Sequence, residues 1–125
     1  MTTSAQAPHE SVRAWQASYR LAIEVYKVSR TWPRDERYGL TAQVRSAAYS
    51  VGANIAEGLA REGPRELHRF LSMALGSLAE MGFALRLARD LGFLPHETWE
   101  TVEAARAESG RLTGALARSV RRTRP

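Results

Sequence analysis

The sequence contains no cysteine and only one lysine, Lys27. The absence of cysteine excludes a disulfide framework, a thiolate zinc site and a cysteine nucleophile. Residues 1–11 lack the cationic stretch and apolar run of a secretory signal. We also find no continuous run of the roughly 18 apolar residues that span a membrane. We therefore expect a protein of the reducing cytoplasm that has no membrane partner.

Sequence motifs for metal binding and catalysis are also missing. None of the three histidines lies three residues after a glutamate, the spacing that di-iron centres of helical bundles use. There is no Gly-x-Ser-x-Gly nucleophile elbow and no Gly-x-x-x-x-Gly-Lys-Ser phosphate loop. Glu57 and Glu80 could form a pair of buried carboxylates, but hydrogen bonding to arginine or to helix ends is the favoured interpretation. We predict that the protein is not an enzyme and holds no metal and no cofactor.

Arginine, by contrast, is abundant. The net charge is +5, and every one of the 18 basic residues except Lys27 is arginine. Arginine binds phosphate in a bidentate manner and stacks on bases. An excess of arginine over lysine can also reflect the base composition of the genome. A basic surface is therefore consistent with nucleic-acid binding but does not establish it.

Apolar residues recur at helical spacing in four segments. The predicted helices cover residues 11–30, 40–60, 64–91 and 95–120, with Ser11 as the first N-cap and Gly52 expected to weaken or bend the second helix. Residues 1–10 are expected to form a disordered lead and residues 121–125 a basic tail. The short connections predict an all-α, antiparallel up-down-up-down four-helix bundle in a single domain over residues 11–120.

Each predicted helix has an apolar stripe that we expect to face the core. On the first helix the stripe comprises Val12, Trp15, Tyr19, Ala22, Ile23 and Tyr26. On the second it comprises Leu40, Val44, Ala47, Val51, Ile55 and Gly58 or Leu59. On the third it is an unbroken heptad seam of Leu67, Leu71, Ala74, Leu78, Met81, Leu85 and Ala88. On the fourth it comprises Trp99, Val102, Ala105, Ser109, Leu112, Leu116 and Val120.

The third helix also has a second stripe on nearly the opposite face, formed by Met73, Gly76, Glu80, Phe83 and Leu87. A chain of four helices has no room for a central helix, so a helix that is apolar on two faces indicates a contact with another subunit. The alternative is that these are scattered surface apolar residues, which are common. We predict that the protein forms a homo-oligomer through this stripe.

Basic residues form two rows that are candidates for nucleic-acid binding. Three of them are spaced by seven on the first helix, and the fourth helix has no acidic residue after Glu108. The candidates are Arg13, Arg20, Lys27, Arg106, Arg111, Arg118, Arg121 and Arg122. Such rows suit a phosphate track, although any solvated helix face and the helix macrodipole also favour cations. No helix-turn-helix, zinc-finger or aromatic RNA-binding signature is present, so sequence-specific base reading is not predicted.

A polar motif of Asn54, Glu57 and Gly58 lies near the end of the apolar stripe of the second helix. A lone amide beside a helical seam usually sets register or oligomeric state, and Asn54 could also bond a carbonyl freed near Gly52. We expect a structural role for all three residues. Whether Asn54, Glu57 and Glu80 face the bundle core or a neighbouring subunit is left open by the sequence.

The same region resembles a known family. The residues that carry the likeness are Tyr38-Gly39-Leu40, Gln43, Arg45, Ala53-Asn54-Ile55-Ala56-Glu57-Gly58, Glu66, Arg69-Phe70-Leu71, Gly76-Ser77, Glu80, Leu85 and Leu91-Gly92. They resemble the four-helix bundle proteins encoded by intervening sequences of bacterial large-subunit ribosomal RNA genes. The accessory variability determinant of diversity-generating retroelements is similar. The chain departs from the pattern at Gly52, where relatives often have proline.

The resemblance implies a barrel-shaped homopentamer. It also implies that some relatives bind RNA or DNA through a basic surface and that the accessory proteins partner a reverse transcriptase. Two hypotheses follow. The first is a non-catalytic oligomer that binds RNA or DNA without strong sequence preference. The second is a protein-interaction scaffold, or an accessory subunit of a reverse transcriptase, with no direct nucleic-acid role.

Overall fold

The computed structural model describes residues 8–122, and this part of the chain is helical with no strand. It contains four α-helices: α1 (Arg13–Val28), α2 (Leu40–Ala60), α3 (Pro64–Asp90) and α4 (His96–Arg122). Short 3-10 turns cover Pro8–Ser11, Ser29–Thr31 and Arg34–Glu36. Helix α1 packs against α2 and α4, and α3 packs against the same two helices. The core therefore lies between four helices.

Two expected terminal segments fall partly outside the described residues. Of the predicted lead, residues 1–7 lie outside them, and the 3-10 turn Pro8–Ser11 precedes α1. Of the predicted tail, residues 123–125 lie outside them, whereas Arg121 and Arg122 belong to α4.

The ends of the helices follow local chemistry. Helix α2 begins where the Leu40 N–H donates to Glu36 Oε1 at 2.9 Å, which satisfies a free backbone donor. Gly63 has φ +87°, a conformation that favours glycine, and Pro64 opens α3. The predicted bounds of α2 and the start of α3 are confirmed. The predicted cap at Ser11 is wrong, because α1 begins at Arg13 and its N-cap position is Val12.

The predicted seams of α2 and α3 are confirmed as the centre of the core. Val44, Val51 and Ile55 of α2 are fully buried, and α2 passes through Gly52 without interruption. The buried side chains of α3 are Phe70, Leu71, Ala74, Leu78, Met81, Ala84, Leu85 and Ala88. In α4 the predicted Val102, Ser109 and Val120 are buried, and the unpredicted Thr113 and Ala117 are buried with them. The other predicted members are partly buried and pack against the core: Trp99, Ala105, Leu112 and Leu116.

The predicted core face of α1 is correct only in part: Val12, Trp15 and Ala22 are partly buried against the core, whereas Tyr19, Ile23 and Tyr26 are exposed. The buried residues are Ala14, Ala17, Ser18, Leu21 and Val25. The aromatic stripe lies about 100° further round the helix, so its tyrosines remain exposed at the edge facing α2. The buried face of α1 is thus formed by Leu21 and Val25 together with small residues, and the tyrosines stay at the surface.

A buried pair of hydroxyls joins α1 to α4. Ser18 Oγ and Ser109 Oγ lie 2.7 Å apart, and Ser18 Oγ also donates to the Ala14 carbonyl at 2.8 Å. A hydroxyl has one proton, so Ser109 must be the donor to Ser18. This bond satisfies two polar groups in the core and defines the register of the two helices.

Helix α3 is long and apolar enough to cross a membrane by length and composition alone, in contrast to the expectation from the sequence. The reason is that it has apolar residues on two faces. Its heptad seam is buried against the other helices, and core helices of globular proteins can have the same length and composition. The composition of α3 is therefore weak evidence for a membrane.

Candidate nucleic-acid interface

The basic row of α1 is exposed along the helix. Arg13, Arg20 and Lys27 all lie on its solvent side, one every seven residues. Seven residues of α-helix advance by about 10.5 Å, so the three cations form a line along two heptads. Within residues 8–122 none of them forms an ion pair with a carboxylate. Their charge is therefore available to a phosphate backbone.

The basic row of α4 is exposed as well. Arg118, Arg121 and Arg122 form no ion pair with any described carboxylate. Arg111 lies 3.9 Å from the Glu108 carboxylate, and both side chains are largely exposed. An exposed pair at this distance contributes ~0–1 kcal/mol, so Arg111 can exchange it for a phosphate. Four arginines thus line the outer side of the last turns of α4.

Arg106 differs from the other seven candidates and does not belong to the exposed row. Its Nε donates to Glu103 Oε1 at 2.8 Å, and its second terminal nitrogen bonds the other Glu103 oxygen. Its remaining nitrogen donates to the Leu78 carbonyl of α3 at 3.1 Å. The guanidinium lies over Gly82, where a Cβ would stand 2.9 Å from Arg106 Cζ.

These contacts give Arg106 a structural role. The side chain is only 24% exposed. Hydrogen bonding to the Glu103 carboxylate raises the pKa of Arg106 above its ordinary value. Burial of the guanidinium lowers the pKa, but by less than the hydrogen bond raises it. The guanidinium therefore stays charged and ties α3 to α4. The sequence contained no signal that singles out this position, because Arg106 follows Glu103 by three residues just as Arg111 follows Glu108.

The second stripe of α3 is exposed in the single chain. Met73, Gly76, Glu80, Phe83 and Leu87 all face solvent, and Phe83 is 72% exposed. An exposed apolar stripe of this kind marks an interaction surface more often than scattered single residues do. Leu91, which was not predicted, extends the stripe by one turn and is also exposed.

Asn54 of the polar motif bonds Ser50 within α2, and Ser50 in turn connects α2 to α3. Asn54 Nδ2 donates to the Ser50 carbonyl at 2.8 Å and to Ser50 Oγ at 2.9 Å. Ser77 Oγ of α3 donates to Ser50 Oγ at 2.9 Å. Asn54 thus lies half-buried at the junction of the two helices, outside the apolar core.

Gly58 and Glu57 have different surroundings. At Gly58 a Cβ would lie 2.8 Å from Phe70 Cβ and 3.0 Å from Leu67 Cδ1, so the helices meet closely there. Glu57 is exposed and accepts a hydrogen bond from Arg61 at 2.8 Å. The expected hydrogen bonding of Glu57 to arginine is confirmed. Glu80 is exposed too, so neither carboxylate enters the core.

Within residues 8–122 no group of three or more His, Asp or Glu side chains could hold a metal ion. Every acidic side chain in that part of the chain is exposed or half-buried. None of these carboxylates is therefore enclosed in the core of the described bundle.

Comparisons with known proteins agree with the helical architecture. A family model described as 23S rRNA-intervening sequence protein matches residues 10–115. A crystal structure of a protein of unknown function from the S23 ribosomal protein family of Bacteroides thetaiotaomicron is similar in fold. The TM-score is 0.75 at 20% identity, and the match covers 83% of this chain and 97% of the other. At this identity the likeness concerns the fold alone. No curated protein matches the chain.

Proposed function

Because the chain belongs to the 23S rRNA-intervening sequence protein family, we propose that it is a non-catalytic, oligomeric four-helix bundle that binds RNA or DNA through basic surfaces. Binding would use the phosphate backbone and would show no strong sequence preference. The observation that carries the proposal is the end of α4. After Glu108 it contains no acidic residue, and four arginines there are exposed.

Electrostatics makes this surface a reasonable partner for phosphates. Cations that lack a protein partner gain affinity by releasing counterions from the nucleic acid. Helix α1 adds a second exposed row and packs against α4, so one molecule offers two tracks on adjacent helices. Arg106 is left out, because its guanidinium is bonded to Glu103 and to the Leu78 carbonyl. The other seven predicted residues remain the candidates for phosphate contacts: Arg13, Arg20, Lys27, Arg111, Arg118, Arg121 and Arg122.

The proposal also includes the arrangement of the helices and of the subunits. An antiparallel up-down-up-down order is supported by contacts between opposite ends of neighbouring helices, such as Arg45 near the start of α2 with Ser29 after α1. Assembly as a homopentameric ring is supported by the exposed stripe on α3 and by the family resemblance. Multi-angle light scattering of the purified chain tests the stoichiometry.

The test of function is fluorescence anisotropy with a labelled RNA hairpin, duplex DNA and single strands, at about 50 and 200 mM salt. Replacing both Arg118 and Arg122 with Gln should weaken binding to all of them and reduce the salt slope by ~1.4–1.8, since each lost phosphate contact removes ~0.7–0.9. The matched control replaces the exposed Arg65 and Arg86 of α3, which removes the same charge elsewhere. Undetectable binding at low salt would refute the proposal.

One observation favours a second candidate function, a protein-interaction scaffold or an accessory subunit of an enzyme such as a reverse transcriptase. The exposed apolar stripe of α3 could recruit another polypeptide instead of a second copy. In that case the basic rows would be dispensable. A pull-down whose catch survives nuclease treatment and is lost with Phe83→Glu would favour the scaffold.

A further inference from the structure

Three tyrosines lie exposed around the junction of α1 and α2. Tyr19 and Tyr26 of α1 are 54% and 44% exposed, and Tyr49 of α2 is 70% exposed. Large aromatic rings at a surface usually belong to an interaction site when they form a contiguous patch. The tyrosines of the predicted α1 stripe are therefore an exposed feature, whereas Val12, Trp15 and Ala22 of the same stripe pack against the core.

Two of these tyrosines, Tyr19 and Tyr49, border an open apolar groove between the two helices. The walls include Trp15, Tyr19 and Tyr49, and the floor is made of small residues: Ala22, Ala48, Gly52, Ala53 and Ala56. Small floor residues leave space beside the rings for another flat group. At Gly52 a Cβ would meet only Trp15 Nε1, at 3.8 Å.

Two of the rings are held in place before any ligand arrives. Tyr19 stacks on Trp15 with centroids 5.1 Å apart and planes 19° apart. The Tyr26 ring lies under the Arg45 guanidinium, whose Cζ is 4.9 Å from the centroid. A pre-ordered ring loses little side-chain entropy on binding. The groove therefore offers a stacking surface with a defined position at Trp15 and Tyr19, and Tyr26 adds a second ordered ring two turns further along α1.

The charge beside the groove indicates the chemistry of its occupant. Arg20 and Lys27 directly follow Tyr19 and Tyr26, so a ring and a cation alternate along α1 with a period of seven residues. Helix α1 contains a single acidic residue, Glu24. An apolar protein segment would not need these cations. A polymer with flat bases and a phosphate backbone uses both features at once.

We propose that the α1–α2 groove stacks unpaired bases of single-stranded RNA, while the basic row of α1 contacts the phosphates. RNA is the occupant to which we commit, because its loops, bulges and ends present unstacked bases to aromatic side chains. This inference rests on the proposed function and specifies where single strands bind. The rows of cations bind paired and unpaired nucleic acid, whereas the groove binds only unpaired bases.

The test compares a labelled oligouridine with an RNA duplex of equal length on the full chain. Tyr19→Ala with Tyr49→Ala should weaken oligouridine binding by ~10-fold or more, since base stacking is sequence-tolerant and substantial for each ring. Duplex affinity and the salt slope should not change. Tyr19→Phe with Tyr49→Phe keeps both rings and should restore binding. Tyr38→Ala is the control, because Tyr38 is exposed in the connection before α2, outside the groove.

The possible failures are distinguishable. If the wild type binds no nucleic acid, the proposed function fails and this inference with it. If the wild type binds but the alanine variant keeps its oligouridine affinity, only the groove assignment is overturned. Tighter binding of oligothymidine than of oligouridine overturns the choice of RNA. A changed oligomer mass in the alanine variant, with unchanged affinity, would identify the groove as a subunit contact.

Discussion

Replacing Gly58 with alanine tests the close approach of α2 and α3. An added Cβ would lie 2.8 Å from Phe70 Cβ, 3.0 Å from Leu67 Cδ1 and 3.4 Å from the Leu67 carbonyl oxygen. Leu67 Cδ1 can rotate away, but Phe70 Cβ moves only with the backbone of α3. The helices must therefore separate locally, which disturbs the seam on both sides of the contact.

Two effects of opposite sign determine the stability of this variant. Alanine is favoured over glycine inside a helix by ~0.5–1 kcal/mol. Overpacking a well-packed contact costs ~1–3 kcal/mol. We expect the packing term to win, with a net loss of about 1–2 kcal/mol in the free energy of unfolding. For a domain of this size that corresponds to a decrease of roughly 3–10 °C in melting temperature.

The assay is urea unfolding followed by circular dichroism at one fixed protein concentration, since the stability of an oligomer depends on concentration. Gly110→Ala in α4 is the matched control, because the nearest atom to its Cβ would be Leu78 Cδ1 at 4.0 Å. This control should be more stable than the wild type by ~0.5–1 kcal/mol. If Gly58→Ala is stabilised equally, helix packing is not the reason for glycine at this position.

Three further predictions concern the other contacts. Phe83→Glu with Leu87→Glu should dissociate the oligomer in light scattering and keep the helical circular dichroism, because charges do not tolerate a buried contact; a wild type that is already monomeric contradicts the proposed interface. Ser18→Ala should lower the free energy of unfolding by ~1–3 kcal/mol, since it removes the buried acceptor of Ser109. Ser109→Ala should lower it by less in the same urea assay, because Ser18 keeps its bond to a backbone carbonyl. Arg106→Leu should lower the free energy of unfolding by ~1–3 kcal/mol, because it leaves the half-buried Glu103 carboxylate and the Leu78 carbonyl unpaired. An unchanged melting temperature would show that this contact does not stabilise the bundle.

The fold of α2 and α3 was predictable because their buried positions are mostly occupied by apolar residues at helical spacing. Val44, Val51 and Ile55 form one fully buried face on α2. On α3 the heptad seam is unbroken, whereas the second stripe is interrupted by Gly76 and Glu80. In α1 two sets of residues compete for the core. Hydrophobicity ranks Trp15 and Tyr19 above alanine and serine, but the face that enters the core is the one with the fully buried Leu21 and Val25.

The candidate site was predictable in part for a similar reason. The charge of the arginines and their helical spacing were enough to predict the exposed rows on α1 and α4, because a solvent-facing side chain does not depend on which residues a neighbouring helix supplies. They could not distinguish Arg106 from Arg111, since the two differ only in what α3 places next to them. The groove between α1 and α2 was missed because its floor of alanine and glycine is formed by residues from two helices.

The contact between Arg106 and Gly82 constrains how this sequence can drift during evolution. A side chain at position 82 would displace a guanidinium that is held by Glu103 and by the Leu78 carbonyl. A homologue with a larger residue at position 82 should therefore also lack Arg106, and without this arginine Glu103 has no partner that constrains its identity. We expect positions 82, 103 and 106 to covary among homologues, with Gly, Glu and Arg gained or lost together.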